Sequence, residues 1–324
     1  MPRLASMSRS VPRRCADSMA LYLVIHIGAF LSRIVPRRWR YLVGTAVGDT
    51  VYMVWARKRR ILKQNTATVL GLDVRARQVA IHARKSMRNY CKYLIEFLEL
   101  PTLSPDHEAV AGMKIHGLEH FVAALERGKG VIVATAHFGT IEVPGLRLLH
   151  FTDAFHAVYD SFKPKYLDDL IRRKRREKRI IPVPVSNVRE MLRVLRQGGV
   201  LAMLFDKPVG AGRGVPVRFF GREAAVPAGP AVLAMKTGAA IVPVFTFRRP
   251  DLTFECVVFP PIPHPETGDR DRDSVSIMQK LMDALQTMVR EHPDQWYMFR
   301  PMWPDAIRPR RSTGRRAAAD GPPL

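Results

Sequence analysis

Six short runs rich in β-branched and aromatic residues restrict the possible folds of this chain more than any other feature. They are GVIVATA (130–136), IIPVPV (180–185), VLAMLF (200–205), VPVRFF (215–220), AIVPVFTF (240–247) and LTFECVVF (252–259). Such compact runs read as strands buried on both faces, as in a parallel sheet. Apolar residues at helical spacing fall between several of them, at Leu118, Phe121, Val122 and Leu125, at Val188, Met191, Leu192 and Leu195, and from Ala231 to Lys236. Longer amphipathic stretches run from Arg77 to Leu100 and from Ser274 to Glu291. The alternation predicts an α/β fold, a central and mostly parallel sheet flanked by helices.

The ends of the chain are different in kind. Arg13 and Arg14 precede the apolar run 19–32, and Arg33, Arg37, Arg38 and Arg40 follow it with no small-residue cleavage site. As a helix, 14 residues reach about 21 Å, short of a hydrocarbon core of about 30 Å. Basic residues on both flanks set no orientation across a bilayer but suit a helix lying in an anionic interface. The next run, 41–55, contains Asp49 and two glycines and meets ARKRR at 56–60. It reads as a second interfacial or docked helix. The expected organisation is therefore 1–60 as N-terminal interfacial helices, 61–306 as the main α/β domain and 307–324 as a disordered basic tail. A net charge of +23 calls for a polyanionic neighbour, an anionic membrane surface or nucleic acid. Three scattered cysteines supply neither a disulfide framework nor a metal knuckle.

His137 follows the first buried run directly, in ATAHFGTIEV, with Glu142 five places on. The spacing alone is uninformative: ten histidines and 29 acids in 324 residues give about 0.9 such pairs by chance, and there are two. The other, His264 with Asp269, lies in the proline-rich PPIPHPETGD. Context separates them, because functional residues of α/β sheets collect beyond the carboxyl ends of strands. Five residues on one helix would stand about 140° apart, at ~100° per residue. A bend at Phe138 and Gly139 is needed to bring the carboxylate to the imidazole, with Thr140 expected to cap a helix carrying Pro144 in its first turn. That arrangement predicts a general-base pair, the acid fixing the tautomer while the other ring nitrogen takes a proton from a hydroxyl.

AHFGTIEV, the segment FDKPVGAGRGVPVRFFGREAAVPAGPAVLAMKTGAAIVPVF (205–245) and HPDQWYMFRPMW near the C-terminus together resemble the lysophospholipid acyltransferase superfamily. The branch they look most like holds the lipid A late acyltransferases and phosphatidylinositol mannoside acyltransferases. The resemblance covers most of residues 110–304. It implies that His137 and Glu142 are catalytic, and it matches Asp206 and Gly221 to family positions expected to bind substrate. The residues themselves add Gly139, which allows close backbone approach, Lys207 beside Asp206, and Arg218 and Arg222, which flank the Phe-Phe-Gly turn and suit phosphates, as substrate-binding candidates. The resemblance also implies transfer of a fatty acyl chain from acyl-CoA or acyl carrier protein to a hydroxyl of a glycolipid or phospholipid. Neither metal nor further cofactor is expected. The expected location is the cytoplasmic face of a bacterial inner membrane. Three places depart from the family pattern. Lys207 follows Asp206 where the family often has Gln. Tyr159 is followed by Asp160 where Arg is commoner, and Lys163-Pro164 replaces Asn-Pro.

Direct attack by the acceptor hydroxyl on the thioester needs no covalent intermediate, and no nucleophile stands out near His137. The basic cluster 172–178 suits an anionic lipid surface or an acidic carrier. A nonenzymatic basic protein binding nucleic acid is the rival reading. Against it, the basic residues are not interleaved with aromatics, and GAGRG (210–214) lacks the Lys-Ser/Thr ending of a phosphate loop.

Overall fold

The computed structural model describes residues 34–99, 108–160, 165–210, 214–265 and 267–303. The apolar run 19–32, Lys163-Pro164, Cys15 and the tail 307–324 lie outside the described residues. The strands are β1 (Lys114–His116), β2 (Val131–Thr135), β3 (Phe155–Tyr159), β4 (Ile180–Pro184), β5 (Val200–Leu204), β6 (Val215–Phe219), β7 (Arg222–Val226), β8 (Ala240–Arg248) and β9 (Phe254–Val258). The helices are α1 (Arg37–Val54), α2 (Ala56–Leu70), α3 (Arg77–Glu99), α4 (Glu108–Ala111), α5 (Leu118–Glu126), α6 (Glu142–Leu148), α7 (Lys165–Glu177), α8 (Val188–Arg196), α9 (Gly229–Thr237) and α10 (Arg270–Glu291).

Seven strands form one sheet in the order β1-β9-β8-β2-β5-β3-β4, parallel throughout except where β8 meets β9. The α/β expectation therefore holds. The period-two alternation of β2 shows why the sheet is covered twice. Val131 and Val133 enter the core beneath α5 and α6, while Ile132 and Ala134 enter the core packed by α8, α9 and α10. Ile277, Met278, Leu281, Met282, Leu285, Met288 and Val289 make the buried stripe of α10. Asp269 caps that helix, accepting from the backbone N–H groups of Asp271 and Arg272. The acid of the chance pair with His264 thus has a structural job.

Three strands escape a search for apolar runs. β1 has three residues, β3 carries His156 as its second residue, and β7 contains Arg222 and Glu223. The run at 215–220 also differs from expectation. It leaves the main sheet and pairs with β7 as a separate antiparallel hairpin against α10.

The N-terminal helices are built into this body. α2 crosses position 60 without a break. Gly44 and Gly48 let α1 approach α3 closely, since a methyl group at Gly48 would lie 2.6 Å from the Arg88 Cα. Asp49 locks the crossing with a two-pronged bond to Arg88 (2.6 and 2.7 Å) and a third to Arg84 (2.7 Å). These bonds hold its carboxyl well below the usual carboxylate range. Buried Tyr41 donates to Glu96 (2.6 Å), which also pairs with buried Arg248 at the end of β8.

Gly48→Ala should therefore cost about 1–3 kcal/mol by overpacking. Urea unfolding would register the loss, and hydrogen exchange should show α1 opening ahead of the sheet.

Candidate active site

Parallel register assembles the site. Thr135 of β2 pairs with Leu204 of β5, so two residues further on His137 and Asp206 emerge side by side at the carboxyl edge of the sheet. Asp206 is fully buried and accepts three hydrogen bonds. They come from the His137 backbone N–H (3.0 Å), His137 Nδ1 (2.7 Å) and the Trp296 indole N–H (3.0 Å). The His137 side chain keeps 38% exposure against 0% for Asp206. With Nδ1–H donated to the carboxylate, Nε2 is left as the acceptor on the open side. Burial of the ring disfavours the imidazolium, but the Asp206 carboxylate outweighs it and lifts His137 above the ordinary histidine value. For Asp206 burial opposes ionisation, and the His137 and Trp296 bonds overcome it, keeping the carboxyl below its usual range. The charges of Lys207 and Arg300 act on the ring in the opposite sense to Asp206.

The loop after His137 is fixed on both sides. Gly139 adopts φ +57°, and a Cβ there would fall 1.8 Å from the Thr246 carbonyl oxygen. Its N–H donates to the Gln295 carbonyl (2.8 Å), and the Thr140 N–H donates to that of Thr246 (3.0 Å). The Tyr297 N–H closes the pairing by donating to the His137 carbonyl (2.7 Å). Gln295 in turn brackets Arg248, its Oε1 accepting from the backbone N–H (2.9 Å) and its Nε2 donating to the carbonyl (2.8 Å).

Glu142 is not the partner of His137. It begins α6 with its carboxylate turned toward α7, where buried Arg175 takes it in an ion pair beside Phe97. The physical reason is the register just described: Asp206 already occupies Nδ1, and the first turn of α6 leads away from the strand end. Arg175 belongs to the basic cluster 172–178, so this member faces inward, while Arg173 and Arg176 are exposed. Nor is Thr140 the cap, because its N–H is drawn to Thr246 and Ile141 precedes the first helical residue.

Gly139 and Asp206 thus lie at the site. Lys207 meets Asp160 across the ends of β5 and β3 (2.6 Å), with both side chains well exposed. Arg218, Gly221 and Arg222 lie on the β6–β7 hairpin, whose two-residue turn takes positive φ at Phe220 and Gly221. Arg222 reaches Thr68 of α2 and lies over Trp303. No hydrogen bond or ion pair joins Arg218 or Arg222 to the His137–Asp206 pair among the described residues. The hairpin instead puts Phe219 behind the site, 5.4 Å from Trp296 and stacked on Trp303 at 5.8 Å. Trp296, Gln295, Arg175 and Arg300 were missed in the sequence. Only QWYMFR, an aromatic segment following a helix, hinted at the first two. Among the described residues no group of three or more His, Cys, Asp or Glu could hold a metal ion.

A carboxylate-oriented histidine with one free nitrogen, at the carboxyl edge of an α/β sheet, has the geometry a general base requires. The chain belongs to the bacterial lipid A biosynthesis acyltransferase family, whose model matches residues 7–304, and it is an O-acyltransferase. It is similar to the phosphatidylinositol mannoside acyltransferase of Mycobacterium tuberculosis H37Rv, with 29% identity over 251 residues, covering 75% of this chain and 76% of that protein. The Mycolicibacterium smegmatis enzyme of the same name is 28% identical over 75% of this chain and 78% of its own length. The lipid A biosynthesis lauroyltransferase of Escherichia coli K12 is 23% identical over 257 residues, 78% of this chain and 81% of that protein.

Asp206→Asn should lower the His137 pKa and mix the tautomers, as read by nitrogen-15 NMR of the ring. The double variant Glu142→Gln/Arg175→Gln, which leaves no unpaired buried charge, should leave that pKa nearly unmoved. The reverse pattern would restore Glu142 as the partner.

Proposed function

We propose that this acyltransferase moves a fatty acyl chain from acyl-CoA or acyl carrier protein to a hydroxyl of a glycolipid or phospholipid, with His137 as the general base. The observation that carries the mechanism is the lock of Nδ1 on buried Asp206, which leaves Nε2 free on the exposed side of the ring. Nε2 takes the proton of the acceptor hydroxyl as its oxygen attacks the thioester carbonyl. The tetrahedral oxyanion collapses by breaking the carbon–sulfur bond, and the imidazolium returns its proton to the departing thiolate. Asp206 stabilises the imidazolium without taking the proton itself. Lys207 and Arg300, whose charges reach His137, supply positive potential for the oxyanion or for substrate phosphates. The names of the relatives favour a glycolipid acceptor.

The same reading places the protein on an anionic membrane, at the cytoplasmic face. Among the described residues no helix is long and apolar enough to cross a bilayer. α1, however, leaves Trp39, Leu42, Val43, Val47 and Val54 exposed, a contiguous apolar surface of the kind that enters an interface.

His137→Ala should lower turnover of a radiolabelled acyl thioester by at least about 10³-fold, and Asp206→Asn by about 10²–10⁴-fold, with the fold intact by circular dichroism. Wild-type turnover in His137→Ala would overturn the mechanism. Because the active form is the neutral imidazole, kcat/KM should rise with pH through a pKa above 6.5, the ordinary histidine value. In the slow Asp206→Asn enzyme that limb should move to lower pH.

A further inference from the structure

We propose that a basic cavity at the α1–α2 junction binds the phosphate of an anionic phospholipid headgroup. This rests on the membrane reading above and adds a defined site to it. The cavity measures about 360 Å³ and is lined by Arg59, Arg60, Lys63 and Arg75 together with Gln64. That volume is at the lower end of the range for small-molecule sites, about 300–1,000 Å³. No carboxylate lines it.

The chain gathers these cations in a small space. Arg59 and Lys63 are four residues apart on α2, so they share a face, and Arg60 follows directly. Gly71 ends the helix in the left-handed region, and the Leu72 N–H bonds back to the Ala67 carbonyl. The connection thereby returns Arg75 to the helix, fixed by an Asx turn from Arg75 N–H to Asp73 (2.7 Å). Arg59 is held from the other side, donating to the carbonyls of Tyr52 and Met53 at the end of α1. Among the described residues none of the four cations enters an ion pair. Like charges at this spacing repel, and a phosphate among them would offset that repulsion.

The neighbouring surface selects the source of the phosphate. Trp55 immediately precedes Ala56, which lines the cavity, and Val54 and Trp55 are 78% and 52% exposed. They continue the apolar face of α1 up to the cavity rim, and Lys58 lies over the Trp55 ring at 5.6 Å. An indole at the rim of a cationic site, beside an exposed apolar strip, matches the order of a membrane interface: acyl chains, carbonyl region, phosphate. A soluble phosphate or a nucleic acid has no use for that strip.

The test is flotation of the full-length protein with vesicles of pure phosphatidylcholine and of equimolar phosphatidylcholine and phosphatidylglycerol. Arg60→Gln/Lys63→Gln should weaken partition onto the anionic vesicles about 25-fold, about fivefold per cation, without altering the weaker partition onto phosphatidylcholine. The control Arg127→Gln/Lys129→Gln, at the amino edge of β2, should lose less than twofold. Equal losses in the two pairs would show a delocalised field and overturn the site. Relief of flotation by millimolar inorganic phosphate, with no greater effect from glycerophosphoglycerol, would assign the cavity to a free anion and also overturn it. Trp39→Ser/Leu42→Ser/Val43→Ser tests the membrane reading separately, since it should abolish partition onto phosphatidylcholine. If it does not, that reading fails, whereas failure of the cavity variants alone leaves it standing.

Discussion

A carboxylate cannot be removed from water without partners, and the active site is built around meeting that demand at Asp206. Its charge is completely buried, so the loss of hydration has to be offset by donors with good geometry. The structure supplies three, and each comes from a different obligation. The His137 backbone N–H is delivered by strand register, the imidazole N–H by the side chain proposed as the base, and the indole N–H by a segment 90 residues downstream. Removing any donor leaves a buried charge short of a partner. The geometry of the base is thus tied to the folding of β2, β5 and the C-terminal segment together.

The C-terminal segment is placed by the N-terminal helices. Asn65 of α2 donates to the carbonyls of Met298 and Arg300 (both 2.8 Å) and accepts from the Met302 N–H (3.2 Å). From α3, Ser86 donates to the Trp296 carbonyl (3.2 Å) and Asn89 to Asp294 (2.8 Å to its carboxylate). An irregular stretch such as 294–302 has no ladder of its own, so its backbone groups must find side-chain partners. Side chains of α2 and α3 are thus what satisfy the segment that aims Trp296 at Asp206.

The sheet was legible because buried parallel strands are continuous apolar runs, and β2, β4, β5, β8 and β9 announce themselves that way. β3 and β7 were not, since FHAVY is a half-buried interior strand with a histidine in it and REAAV is a hairpin strand with two charged residues, so neither reads as an apolar run. His137 was legible from its place after β2. Its partner was not, because spacing along the chain favours Glu142 while spacing across the sheet selects Asp206, and register between strands is not written in either strand alone. Asp206 could be marked as a site residue only through resemblance, with a different role. Trp296 and Gln295 were visible only as part of an aromatic motif, with no role attached, because the packing of α2 and α3 is what brings them in.

Glu142 then needs its own account. Buried beside Tyr93 and Phe97, Arg175 would be an uncompensated charge without it, and the pair fastens the start of α6 to α7. The pair and Asp206 share a logic: each buried charge is neutralised by a partner on a different element, so the loop from His137 to Glu142 is clamped at both ends. At its middle, Gly139 lets the Thr246 carbonyl approach where a Cβ would collide, and Gln295, which accepts the Gly139 N–H at its carbonyl, ties that point to Arg248. Arg248 meets Glu96, and Glu96 meets Tyr41 on α1. A continuous set of buried polar contacts therefore joins α1 to the loop that carries His137. On the proposal that α1 seats in a membrane and His137 acts as the base, rigid connection of that kind would set the angle at which Nε2 meets an acceptor hydroxyl.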